Sequence, residues 1–78
     1  MSARLAAAFR RNVRSRMGEL QMSQDALAKR LKVGKSFVSQ MLSGHRRPGL
    51  ESLESFAKAL KVAEPAELIM ERKMAESA

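Results

Sequence analysis

The stretch QDALAKRLKVGKSFVSQMLS, residues 24–43, decides the fold. Its apolar residues Leu27, Leu31, Val33, Val38 and Met41 occupy positions four, eight, ten, fifteen and eighteen, with the small Ala28 at position five. Spacings of three and four place side chains on one stripe of a helix, whereas a strand needs alternation. Ser23 is placed to cap a short helix over Gln24–Leu31, and Asp25 stands against the positive end of its dipole. Ala28 offers a small side chain where another helix crosses closely. Lys32, Val33 and Gly34 break the pattern. A second short helix follows over Lys35–Leu42, until Ser43 and Gly44 supply a helix-ending signal.

Helical spacing continues on both sides. Leu5, Phe9, Val13, Met17 and Leu20 define one face of a long first helix that Ser2 caps and Gln21 ends. Arg4, Arg10, Arg11 and Arg14 fall on another face. Arg16 lands inside the apolar arc, so it must reach the rim or meet an acid from another helix. His45, Arg46, Arg47 and Pro48 form a basic surface loop whose proline forbids continuing the helix. Leu50, Leu53, Phe56, Ala57 and Leu60 then mark a core-facing helix over 50–60, and Pro65 suits the start of a fifth helix to about Ala75. The expected architecture is all-α: one domain over 1–78, with a helix-turn-helix unit at 24–43 and a fifth helix and short tail in 65–78.

Composition narrows the function. The chain has 78 residues, 45% of them apolar, with three Phe and no Tyr or Trp, so its core is aliphatic and suits packed helices. The absence of cysteine excludes disulfides, Cys-ligated zinc and thiol chemistry. His45 alone makes neither a metal site nor a catalytic dyad, and the eight acidic residues form no local pair. No enzyme, cofactor or metal is expected. No apolar run approaches the roughly 18 residues of a membrane span, so a soluble cytoplasmic protein with no membrane role is expected. Residues 1–50 hold eleven basic groups against two acidic, and residues 51–78 four against six, within a total of +7. A basic front and a mildly acidic back suit a polyanion bound on one face, and the partner implied is nucleic acid.

In a helix-turn-helix the first helix braces the second so that its polar face protrudes, and a protruding helix fits the major groove of B-DNA. At this point the chain resembles the Cro/C1-type, xenobiotic-response-element-like regulators of bacteria and phages. The matching stretches are NVRSRM, MSQDALAKRLKV, VSQMLSG and RRPGLESLESFAKALKV, across roughly residues 9–70. The resemblance implies a five-helix lambda-repressor-like fold that binds operator DNA as a homodimer. It also implies base contacts from Lys35, Ser36, Phe37, Ser39 and Gln40. Lys35 suits guanine O6 and N7, Gln40 both edges of adenine, and Phe37 a thymine methyl if it points outward; otherwise it packs on a neighbouring helix. Phosphate contacts are expected from Gln24 at a helix N-terminus, from Ser43, Arg46 and Arg47 after the recognition helix, and from Arg10 and Arg14 on the first helix. His45 is expected at the surface.

Two positions depart from the family pattern. The turn commonly carries Gly where this chain has Lys32, so Lys32 must take left-handed backbone unless the turn is rearranged. An Arg–Glu pair often found inside the domain corresponds to Met17 and Leu42, where an apolar contact can replace the ion pair without loss of stability. The resemblance points to a small repressor on a pseudo-palindromic operator, with Leu68, Ile69 and Met74 as the expected dimer interface. The alternatives are the antitoxin of a toxin–antitoxin pair or a restriction–modification controller protein. A toxin or an anti-repressor would then be a possible protein partner.

Overall fold

A computed structural model describes residues 2–70. Among them are four α-helices and no strand: α1 (Ala3–Leu20), α2 (Gln24–Leu31), α3 (Lys35–Ser43) and α4 (Leu50–Ala59), followed by a short 3-10 helix, Pro65–Ile69. Helix α2 packs on both α3 and α4, while α1 and α4 hold the 3-10 helix between them.

Local chemistry sets the helix starts. Ser2 Oγ accepts the Leu5 N–H at 3.2 Å and Ser23 Oγ the Ala26 N–H at 3.1 Å, so each serine satisfies a donor that the helix end leaves unpaired. Three helix ends share one device. Gln21, Lys32 and Lys61 all adopt left-handed backbone, with φ of 53°, 61° and 58°. The next residue in each case, Met22, Val33 or Val62, sends its N–H back to Met17, Ala28 or Ala57 at 2.8–3.0 Å. This is a six-to-one closure, and its usual occupant at the left-handed position is glycine. Lys32 therefore adopts the left-handed conformation rather than forcing a rearranged turn.

The core contains Phe9, Val13 and Met17 of α1, Leu27 and Ala28 of α2, Val38, Met41 and Leu42 of α3, and Leu53, Phe56, Ala57 and Ala59 of α4, with Leu60 and Leu68. Phe9 meets Phe56 edge to face, with ring centroids 5.2 Å apart; such a pair adds about 0.5–1.5 kcal/mol beyond its burial. Met17 and Leu42, which stand where the family often has an ion pair, are both buried in this cluster.

Three apolar positions differ from expectation. Leu50 is 82% exposed, although its register is close to that of Ala57. It is the first residue of α4, and helical side chains tilt toward the N-terminus, so Leu50 leans off the end of the helix instead of into the core. Leu5, and likewise Val33 of the expected inward stripe, is 37% exposed, and the buried residues at the start of α1 are the small Ala6 and Ala8.

Among the described residues the start of the expected fifth α-helix is a 3-10 helix, and it is held from far away in sequence. Glu64 and Glu67 form a reciprocal capping box at its start. Asn12 Nδ2, on a side chain buried against it, then donates to the carbonyls of Leu68 at 2.9 Å and Met70 at 2.7 Å, with Glu67 at 3.3 Å. Those oxygens thus have a donor in Asn12, and Met70 is extended. The remainder of the expected helix, from residue 71 onward, lies outside the described residues.

Arg16 takes the first expected course and reaches the rim, with about a third of its side chain exposed. Its Nε donates to the Leu60 carbonyl at 2.9 Å and its Nη2 to that of Lys61 at 3.2 Å, while Glu19 of its own helix lies at 3.4 Å. Arg30 adds a donor to the Ala59 carbonyl at 3.4 Å. Two arginines thus cover the carbonyls at the negative end of α4.

Candidate nucleic-acid interface

Helix α3 is divided lengthwise. Val38, Met41 and Leu42 are buried, whereas Lys35, Ser36, Ser39 and Gln40 are exposed and together line a shallow depression of about 350 Å³. At 3.6 residues per turn these four fall within roughly 140° of one another, so the burial of one face dictates exposure of the other. The depression offers an ammonium, two hydroxyls and an amide, a set of donors and acceptors suited to base edges. Among the described residues, Lys35, Ser36 and Ser39 make no side-chain hydrogen bond to the protein.

Phe37 stands apart from that group. It is half-buried and lines a separate groove with Leu31, Val33, Glu51, Ser52, Ser55 and Phe56. Its position on the helical wheel, between Gln40 and Met41, is the boundary of the buried face, and the core takes it. The Arg46 guanidinium lies over the exposed side of its ring, 5.2 Å from the centroid.

The loop after α3 folds back on the helix. Gly44 takes φ 92° and closes α3, and the N–H groups of His45 and Arg46 donate to the Gln40 carbonyl at 3.0 and 3.2 Å. Ser43 Oγ lies 2.7 Å from His45 Nδ1 and 3.3 Å from the Gln40 carbonyl. Arg46 Nε donates to Gln40 Oε1 at 3.1 Å. Pro48 is buried and anchors the far end, leaving His45, Arg46 and Arg47 on the surface.

The arginines of α1 support the same region from behind. Arg14 Nη2 donates to the Leu42 carbonyl at 3.0 Å, a cation placed against the negative end of α3. The Arg10 guanidinium packs on Gly44, within 3.6 Å of the position a Cβ would take. Both residues therefore brace the end of α3, whatever else they touch. Gln24 is half-buried at the first position of α2, where Ser23 satisfies the N–H groups of Ala26 and Leu27 and those of Gln24 and Asp25 point off the helix end.

Of the residues expected at a dimer interface, Leu68 is 2% exposed and belongs to the core. Ile69 is half-buried against it. Met74 lies outside the described residues.

Sequence reasoning missed one residue of the scaffold and one contact within the site. Asn12 is one turn from Phe9, inside the same buried arc that drew attention to Arg16, and a polar side chain there signals a distant partner. The bond between Arg46 and Gln40 depends on the course of a loop and has no signature in helical spacing.

No helix among the described residues is long and apolar enough to cross a membrane, and none of their His, Asp or Glu side chains gather into a group that could hold a metal ion. No curated protein and no solved structure matches the chain significantly. A helix-turn-helix family model matches residues 13–67, from the middle of α1 through the 3-10 helix. That match spans most of the chain and includes both helices of the paired unit and the core behind them, so the chain belongs to the Cro/C1-type helix-turn-helix family of DNA-binding transcriptional regulators.

Proposed function

We propose that the protein is a repressor that occupies a pseudo-palindromic operator as a homodimer, with one α3 in the major groove of each half-site. The observation that carries this reading is the division of α3, whose inner face is buried while Lys35, Ser36, Ser39 and Gln40 converge on one open surface. These four are the base-reading residues. Ser43, Arg46 and Arg47 on the following loop and Gln24 at the start of α2 are phosphate contacts, which fix register without reading sequence. Arg10 and Arg14 contribute positive potential close to the backbone while they brace the end of α3. Phe37 acts from beneath the loop rather than on a thymine methyl.

A single small domain makes few contacts, and two copies set about one turn of DNA apart double them. The dimer contact falls on the chain around Ile69 and the residues that follow it. No observation favours an antitoxin or a restriction–modification controller over this reading.

Selection of sites from random duplex DNA, with stoichiometry measured on the winner, tests the proposal. A palindromic motif bound by two chains is the expected result; no enriched motif, or one chain on an asymmetric site, overturns it. Affinity should also fall steeply between about 50 and 200 mM salt, because phosphate contacts release condensed counterions.

A further inference from the structure

We propose that Arg46, beyond its phosphate contact, sets the base preference of Gln40 as a positioning residue for the reading side chain. The proposal rests on the reading of α3 as the groove-entering helix.

Arg46 is tied to Gln40 twice. Its backbone N–H donates to the Gln40 carbonyl at 3.2 Å, and its Nε donates to Gln40 Oε1 at 3.1 Å. The guanidinium is itself supported from the other side by the Phe37 ring, 5.2 Å away at the centroid. That ring sits in the groove formed by Leu31, Val33 and Phe56 and packs on the core. A continuous line of contacts therefore runs from the core through Phe37 and Arg46 to the amide of an exposed residue.

The chemistry of glutamine makes that line consequential. Its amide has an acceptor and a donor end of nearly equal size, and three rotatable bonds let an unrestrained exposed glutamine present either. Adenine is read only when Oε1 faces the exocyclic N6 and Nε2 faces N7; the reversed amide meets a donor with a donor. A guanidinium can only donate, so Arg46 must engage the oxygen. The oxygen is thereby held on the loop side and keeps one lone pair, while the Nε2 donors stay free on a residue that lines the depression with Lys35, Ser36 and Ser39. One orientation of the amide is selected before DNA arrives. The same geometry explains an aromatic residue at position 37, which provides a flat, fixed platform for the guanidinium.

Two measurements test this. The first is side-chain amide relaxation of Gln40 in the free protein, compared among wild type, Arg46→Ala and Phe37→Leu. The amide should be ordered in wild type, mobile in Arg46→Ala and intermediate in Phe37→Leu, which retains an apolar side chain in the groove. The second is competition between the selected operator and its three single-base variants at the position identified with Gln40→Ala. A wild-type preference of about tenfold or more there should fall to about twofold in Arg46→Ala, beyond any loss common to all four sequences.

Arg46→Lys keeps the charge but has neither Nε nor a planar face. It should regain general affinity relative to Arg46→Ala without regaining the preference. Uniform weakening in Arg46→Ala, a preference restored by Lys, or an amide equally mobile in wild type and variant would each overturn the proposal while leaving the operator reading intact. A wild-type chain that enriches no sequence would overturn both.

Discussion

The inner and outer polar groups of this small domain use their hydrogen-bonding capacity in opposite ways. On the scaffold, Asn12, Arg14, Arg16 and Arg30 all donate to main-chain carbonyls, at the ends of the 3-10 helix, α3 and α4. On the outer face of α3, Lys35, Ser36 and Ser39 donate to nothing in the described protein, and Gln40 is engaged only at its oxygen. Much of the scaffold's charge is already committed to holding helix ends in place. The number of arginines is therefore a poor guide to the interface; what marks it is polar capacity left exposed on a rigid element. Rigidity has its own source in the committed groups, because α1 fixes the far end of α3 through Arg14 and Arg10.

Substitutions on the two sides should separate stability from recognition, and the largest effect is expected at Asn12. Asn12→Ala removes the donor for carbonyls at the end of the 3-10 helix and should lower unfolding free energy by about 2–3 kcal/mol, measured in urea. Unchanged stability would mean that water replaces the amide and that the scaffold is not held as described. On the outer face, Gln40→Ala or Lys35→Ala should weaken operator binding by roughly 1–3 kcal/mol and relax base choice, with the urea midpoint almost unmoved. A large stability loss there would erase the distinction between the faces. Arg16→Met should cost about 1 kcal/mol of stability, less than a fully buried charged donor because part of the guanidinium is in water, and should leave relative affinities among DNA sequences as they were. The smallest change runs the other way. Lys32→Gly should stabilise by about 0.5–1 kcal/mol, since glycine takes left-handed backbone without steric cost.

What could be read in advance was local. Ser23, the spacing from Leu27 to Met41 and the break at Lys32–Gly34 lie within one or two turns of what they determine, and the observed bounds of α2 and the start of α3 agree with them. The exposed set Lys35, Ser36, Ser39 and Gln40 follows from the same period. What could not be read depends on partners distant in the chain or on where an element ends in space. The 3-10 helix is held by an amide 55 to 58 positions earlier. Leu50 has a core register, but its side chain projects past the end of the helix. Arg16 was visible as an anomaly, yet its partners are carbonyls of a helix terminus, which no residue type announces. Phe37 is at the border of two faces, where periodicity alone gives no decision.

The three left-handed helix ends have a consequence for how the protein could be tuned. Leu20-Gln21-Met22, Leu31-Lys32-Val33 and Leu60-Lys61-Val62 repeat one grammar of leucine, polar residue and apolar residue, and in each the middle position carries a side chain where glycine would be easier. They act as three independent notches on a dial. Glycine at each would shift the ratio of folded to unfolded chain by about two- to fivefold, and none of the three belongs to the set that lines the reading face. Each step would lower the small population of unfolded chain, the form that proteases remove, with the choice of sequence left alone.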